Sequence, residues 1–260
     1  MISADSQGTQ SKTTEGLVLL QGFIKDGAIG AELPDADVAR IVGEGRIVIL
    51  KGVFPPDLML DFRRAVTRWR DSTPPYPHGQ SPNTTPDVNY HRADKGTVKS
   101  AIPHVFHQYG FNTPERLADY VGRPAQQIAA LMLALQNRIA RTGFDISLTG
   151  MRIKLLHYPA GGGFLAEHQH PLEPQRIGLI TSMARCGTDF NTGGTAFRTP
   201  FGRVETTVAH DIGDIILFRY DLPHSVTPVD EGHELNWDSE AGKWSYVLDL
   251  RETYSLSQAR

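Results

Sequence analysis

The segment "LLHYPAGGGFLAEHQH", residues 155–170, joins an apolar run to a glycine-rich turn and ends in two histidines one residue apart. Successive side chains of a strand point to opposite faces, so His168 and His170 project to the same side while Gln169 points away. Imidazole nitrogens are common ligands of transition metals. The segment therefore predicts an extended stretch that offers two imidazoles to one metal ion.

A third imidazole is predicted from the segment "GDIILFRYDLPHSVTPV", residues 213–229. His224 follows a hydrophobic strand that ends at a proline turn, so its ring can reach the rim of a β-sandwich. Three protein ligands leave coordination positions open on a transition metal, which is the condition for activating oxygen or water. A His-x-His pair alone is more often a surface pair. The prediction of a metal site therefore requires His224 to lie close to His168 and His170.

Composition indicates one globular domain. The chain has 260 residues, of which 40% are hydrophobic and 21% charged, and its formal charge is −3. This charge gives no basic field for nucleic acid, and the apolar runs are too short to span a membrane. Cys186 is the single cysteine and no leader pattern is visible. We therefore expect no nucleic-acid or membrane partner and a reducing, cytoplasmic location.

The first part of the chain is expected to support a β-rich second part. Residues 1–15 are polar and predict a flexible tail, and residues 16–260 predict a single domain. Within it, 16–150 are expected to be mixed, with a strand at 45–54, helices at 57–71 and 124–141, and a lid or substrate loop at 73–112.

From residue 151 to 251 the sequence is typical of an all-β core. Short β-rich runs recur at intervals of roughly 8 to 12 residues, with turn residues between them. The runs are "MRIKLLHY", "GLITSMA", "GGTAFRT", "RVETTVA", "DIILFRY", "HSVTPV" and "KWSYVLDL". The fold class predicted is mainly β with bracing helices.

An ordered set of motifs in this second part resembles the Fe(II)- and 2-oxoglutarate-dependent oxygenases of the prolyl 4-hydroxylase-like group. The set comprises the quoted segment, "GGTAF" at 193–197, "GDIILF" at 213–218, "LPHSVTPV", and "GKWS" at 242–245. The resemblance covers about 100 residues, and each motif alone is weak. It implies a double-stranded β-helix, which is a jelly roll similar to that of the cupins.

The resemblance also implies roles for individual residues. His168 and His224 correspond to the first and the distal metal ligand, and Lys243 to the cation that pairs with the remote carboxylate of 2-oxoglutarate. Tyr158 and Ser245 are the further expected cofactor contacts. The loop 230–241 before Lys243 is longer than is usual in the family, which makes Arg176 and Arg198 alternative cations.

His170 departs from the family, which has Asp or Glu at this position. A neutral imidazole leaves the metal centre one unit more positive and does not leave the room that chloride needs in halogenating relatives. Three-histidine iron sites occur in cupin-type dioxygenases. The alternatives are therefore a three-histidine dioxygenase that does not use 2-oxoglutarate, or a non-catalytic protein that binds a small molecule.

The function that the resemblance implies is oxidation of a small molecule, with Fe(II), 2-oxoglutarate and O2, through an iron-oxo intermediate. Hydroxylation is the commonest outcome, and desaturation or cyclisation begins in the same way. The residues expected to contact the substrate are Arg198, Arg176, His107 and Tyr109.

Overall fold

The computed structural model describes residues 15–73, 89–93, 102–111, 113–147 and 150–250. Four helices lie in this part: α1 (Asp35–Gly43), α2 (Pro56–Asp71), α3 (Pro114–Val121) and α4 (Arg123–Ala140). The strands are β1 (Leu17–Lys25), β2 (Ala28–Ala31), β3 (Ile47–Lys51), β4 (Asn89–Ala93), β5 (His104–Phe111), β6 (Met151–Pro159), β7 (Gly163–His168), β8 (Ile177–Ser182), β9 (Gly194–Thr199), β10 (Gly202–Glu205), β11 (Ile215–Arg219), β12 (His224–Val229) and β13 (Gly242–Leu250).

The strands of the second half alternate between two facing groups. The major sheet contains β6, β13, β8 and β11 as neighbours, extended by β3, β1 and β2. The smaller group runs β7, β12, β9 and β10, and β5 joins the two by pairing with both β6 and β7. From β6 to β13 the chain passes repeatedly from one group to the other, which is the path of a double-stranded β-helix. The predicted fold class is confirmed.

The helices pack on the outer face of the major sheet. Ile128 and Met132, from the predicted stripe on α4, are buried, and the Met132 sulfur accepts a hydrogen bond from Thr181 Oγ1 on β8 at 3.3 Å. On α2, Phe62 meets the Tyr246 ring of β13 edge-on at 5.3 Å. Both helices thus bury the apolar faces that their sequence periodicity predicts.

Alternation along β13 separates the core from the interior of the β-helix. Trp244 and Tyr246 point to the helices, whereas Lys243, Ser245 and Asp249 point to the interior. The partners of these three on β6 share the same interior face. This face therefore carries polar side chains from both β13 and β6.

The glycine turn after β6 permits a close approach of two chain segments. Gly161 has φ +96°, and a Cβ there would lie 2.7 Å from the backbone of Leu235 in the loop 230–241. The same turn donates its Gly161 N–H to the Val229 carbonyl at 3.1 Å. Glycine is required because both the backbone conformation and the contact exclude a side chain.

The structure corrects the prediction of one long loop at 73–112. His104–Phe111 form β5, which lies between β6 and β7, and Asn89–Ala93 form β4 beside it. The turn-forming residues on either side of these strands masked their β pattern. The rest of the predicted lid, at 74–88, 94–101 and 112, and the predicted tail except for Glu15, lie outside the described residues.

Elements near the start of the described chain were also missed by sequence reasoning. β1 pairs in parallel with β3, and α1 follows β2. Among the helices described, none is both long and apolar enough to cross a lipid bilayer.

Candidate metal centre

Three imidazoles converge where β7 ends and β12 begins. His168 is the last residue of β7 and lies directly opposite His224, the first residue of β12. His170 follows two residues later, and one ring nitrogen from each of the three lies within 4.8 Å of the others. The ring centroids of His168 and His224 are 4.3 Å apart. The antiparallel register thus brings together residues that are 56 positions apart in the chain.

Backbone carbonyls orient two of these rings. His168 Nδ1 lies 3.0 Å from the Ala166 carbonyl oxygen, and His224 Nδ1 lies 2.9 Å from that of Leu222. Because a carbonyl oxygen only accepts, each Nδ1 carries the proton and donates it. The lone pair is then on Nε2, which is the atom left to bind a metal. Such contacts are typical of metal-ligating histidines.

The surroundings keep both rings neutral. Burial, with a contribution from the neighbouring His168, lowers the pKa of His224 to about 3. Burial also lowers the pKa of His168, although its bond to Ala166 opposes the shift. A neutral imidazole needs no deprotonation before it binds a metal. The three rings therefore fit a divalent transition-metal ion.

A polar network supports the third ring. The Tyr220 ring stacks on that of His170 at a centroid distance of 4.4 Å and an angle of 8°. The Tyr220 hydroxyl donates a hydrogen bond of 2.8 Å to Asp249 Oδ1. Asp249 Oδ2 accepts from Lys154 at 2.7 Å and from Arg152 at 2.5 Å.

Sequence reasoning missed Tyr220, Asp249, Lys154 and Arg152. One signal was present: alternation along "MRIKLLHY" places residues 152 and 154 on the same face as Tyr158. Burial raises the pKa of Asp249, but the charges of Lys154 and Arg152 outweigh it and hold that pKa well below its usual range. The carboxyl group is therefore an anion beside the histidines.

Solved structures with the same architecture include prolyl hydroxylases. A Pseudomonas putida prolyl-4-hydroxylase matches at a TM-score of 0.56 and 16% identity, over 83% of this chain and 98% of that one. The chain has the fold of the prolyl hydroxylases. This outcome confirms the suspected resemblance at the level of the fold.

Two further structures share this hydroxylase fold. A prolyl hydroxylase from Trichoplax adhaerens, in complex with a hypoxia-inducible factor peptide fragment, has a TM-score of 0.52 and 12% identity, covering 86% of this chain and 91% of its own. A full-length protein from Neurospora crassa, in complex with alpha-KG, has a TM-score of 0.53 and 13% identity, with 88% of this chain and 87% of its own covered. No family model and no curated protein matches the sequence.

Within the hydroxylase fold, Lys243 lies on the interior face directly opposite Tyr158. The long loop before it does not displace it, because Ala160 N–H donates to the Ala241 carbonyl at 3.0 Å and fixes the start of β13. Ser245, two residues on, lies on the same face opposite Leu156. The three predicted cofactor contacts therefore share one wall of the interior.

Lys243 is a buried cation without a counter-charge in the described part of the chain. Its exposed fraction is 2%, and within the described residues it has neither a hydrogen bond nor an ion pair; the ring of Phe190 lies 5.9 Å from its Nζ. Burial lowers the pKa of Lys243 to about 8. An unpaired buried ammonium is unfavourable, so this position is suited to an anionic ligand.

The alternative cations are compensated elsewhere. Arg176 pairs with Glu173 at 3.1 Å and donates to the Ala140 carbonyl, and Arg198 pairs with Glu167 at 2.6 Å. All four charged side chains of these pairs are exposed. Their expected contact with substrate stays a prediction.

His107 and Tyr109, for which contact with the substrate stays a prediction, both lie on β5. Alternation along β5 turns both to the helix side of the sheet, where Tyr109 stacks on Trp244 at 6.0 Å and meets Trp69 of α2. His107 lies opposite His157 on the same side. These residues are part of the core and face away from the three histidines.

Proposed function

We propose that this protein is an Fe(II)- and 2-oxoglutarate-dependent oxygenase that oxidises a small organic molecule. The observation that carries the proposal is the convergence of His168, His170 and His224, two of them with Nε2 available. Lys243, which has no ion pair among the residues that the structure describes, supports the assignment of 2-oxoglutarate as co-substrate. Alpha-KG bound to a Neurospora protein of the same fold gives further support.

The metal would be held by the three histidines, of which His168 and His224 are kept neutral by burial. When bound, Fe(II) supplies a centre at which reduction of O2 is coupled to decarboxylation of 2-oxoglutarate and oxidation of a C–H bond. Three neutral ligands leave the full charge of the ion uncompensated. Such a centre favours anionic co-ligands, and 2-oxoglutarate is a dianion.

The chain contributes the anchor for this dianion. Lys243 would pair with the remote carboxylate and thereby gain the counter-charge that it lacks among the described residues. Ser245 and Tyr158 would donate from the same wall, since burial raises the pKa of Tyr158 and keeps its phenol protonated. A charge-assisted pair of this kind offsets the desolvation of both ions.

Aromatic side chains exclude water from the metal-binding side. Phe218 meets the His224 ring at 5.0 Å and Phe197 stacks near it at 6.0 Å. Both are almost fully buried. This apolar wall favours an uncharged portion of a small molecule as the group that is oxidised.

A second candidate follows from His170. Because an imidazole stands where the family has a carboxylate, a three-histidine dioxygenase that binds its substrate without 2-oxoglutarate has the same ligand set. Oxygen consumption that is independent of 2-oxoglutarate distinguishes it. A non-catalytic binding protein would bind 2-oxoglutarate tightly with no requirement for metal.

The test is uncoupled turnover. Protein purified without a histidine tag is loaded anaerobically with Fe(II), given 2-oxoglutarate and O2, and assayed for succinate. The proposal predicts succinate formation that is lost in His224→Ala and kept in His233→Ala, a histidine exposed on the loop 230–241. Absence of succinate from the wild-type protein, with Fe(II) demonstrably bound, overturns the 2-oxoglutarate assignment.

A further inference from the structure

We infer that Tyr220, anchored by Asp249, is a positioning residue that holds His170 in its metal-binding orientation. This inference rests on the proposed metal site and deepens it. The partly buried contact between Tyr220 and Asp249 thereby gains a function. Neither the family motifs nor the three metal ligands require this contact.

The three imidazole rings are held in place in different ways. His168 and His224 belong to paired strands, and each is fixed by a bond from Nδ1 to a carbonyl two residues before it. His170 lies two residues beyond the end of β7, outside the ladder. Its ring is covered by Tyr220 in a nearly parallel stack at 4.4 Å. The stack restricts rotation of the imidazole out of the cluster.

Tyr220 is itself held by hydrogen bonds from its backbone and from its hydroxyl. Its backbone N–H donates to the Arg176 carbonyl at 2.9 Å, and its hydroxyl donates to Asp249 at 2.8 Å. Asp249 is in turn held by Arg152 and Lys154 on the adjacent β6. The phenol is therefore fixed at both ends to the major sheet, while the ring that it covers follows a strand of the smaller group.

The Tyr220 ring also stabilises metal-bound His170 electrostatically. An imidazole bound to a divalent metal gains positive character, and an aromatic face attracts a cation placed over it. Donation of the Tyr220 hydroxyl to an ionised carboxylate makes the phenol ring more electron-rich. The stack thus stabilises the metal-bound form of His170 more than the free form, so Tyr220 raises metal affinity.

A double-mutant cycle on Co(II) binding tests this assignment, with affinity measured from the visible absorption of the bound ion. Tyr220→Leu should weaken Co(II) binding about tenfold, as loss of supporting contacts around metal ligands does. In a His170→Ala background the same substitution should produce no further loss, because Tyr220 acts only through His170. Tyr220→Phe, which keeps the ring, should give a smaller loss that also vanishes in that background.

The matched control is Tyr246→Phe, which removes a buried hydroxyl on the outer face of β13 and should leave Co(II) affinity unchanged. If Tyr220→Leu does not fold, Tyr220→Phe carries the same cycle. An equal loss with and without His170, or no loss in either variant, overturns the inference alone, provided that the wild-type protein binds Co(II). A wild-type protein that binds no Co(II) overturns both the inference and the proposed metal site.

Discussion

Lys243→Met should make the metal-free protein more stable while it abolishes binding of 2-oxoglutarate. Burial lowers the pKa of Lys243 from 10.5 to about 8. Each pKa unit corresponds to about 1.4 kcal/mol, so holding the charged ammonium in the fold costs about 3 kcal/mol at pH 7. Methionine fills similar space without the charge, and the gain in unfolding free energy should approach this value.

The pH dependence has a definite sign. The folded pKa lies below the unfolded pKa, so the cost is present in full below pH 8. It disappears as the pH rises from about 8 toward 10.5, where the unfolded chain also loses its proton. The advantage of Lys243→Met should therefore be large at pH 7 and small at pH 10. Urea denaturation of the metal-free protein at both pH values measures it.

Lys154→Met is the matched control, because Lys154 is paired with Asp249 at 2.7 Å. Its loss should destabilise the protein at pH 7. With 2-oxoglutarate at 100 times its Kd, wild-type protein should gain about 2.7 kcal/mol and Lys243→Met should gain nothing. Two results are incompatible with Lys243 as an uncompensated cation that binds 2-oxoglutarate: Lys243→Met destabilises the protein as Lys154→Met does, or it binds 2-oxoglutarate with unchanged affinity.

Three further outcomes are expected. Asp249→Asn should lower the unfolding free energy by about 3–5 kcal/mol at pH 7, since it leaves two mostly buried cations uncompensated. The pKa of Asp249 in the folded protein lies below the unfolded value of about 3.9, so the difference in unfolding free energy between wild type and Asp249→Asn should shrink as the pH falls below about 4. A difference that is constant down to pH 2 contradicts this. His168→Ala and His224→Ala should each lose Co(II) binding in an absorption titration, whereas His233→Ala retains it; equal binding by all three disproves the ligand set. Gly161→Ala should lower the urea midpoint by more than an exposed substitution does, because φ is +96° and the contact is 2.7 Å; an unchanged midpoint argues against the close approach.

Much of the β-helix could be predicted because its strands are continuous apolar runs bounded by turns. β6, β11 and β12 begin or end within a residue of their sequence patterns. The two helices α2 and α4 followed from their apolar stripes. β5 escaped prediction because it is embedded between turn-forming segments, and its burial comes from β6 and β7 rather than from its own pattern.

The residues of the candidate site were likewise only partly predictable from the sequence. His168 and His224 could be predicted from the spacing of the histidines and the order of the motifs along the chain. The fold that this order indicates pairs the two strands that carry them. Tyr220 and Asp249 could not be found, because their contact joins side chains 29 positions apart, one just after β11 and the other on β13. For His107 and Tyr109 the sequence indicated a loop, whereas the structure has a strand that turns both side chains to the core.

X-ray absorption of the Fe(II)-loaded, untagged protein measures whether the three histidines share one metal ion, because outer-shell scattering counts the imidazole ligands of the metal. We expect one Fe(II) per chain bound by three imidazoles in the wild-type protein, and by two imidazoles after His170→Ala. A wild-type spectrum that fits one imidazole or none would contradict the shared metal site, and a spectrum that fits two would contradict ligation by His170.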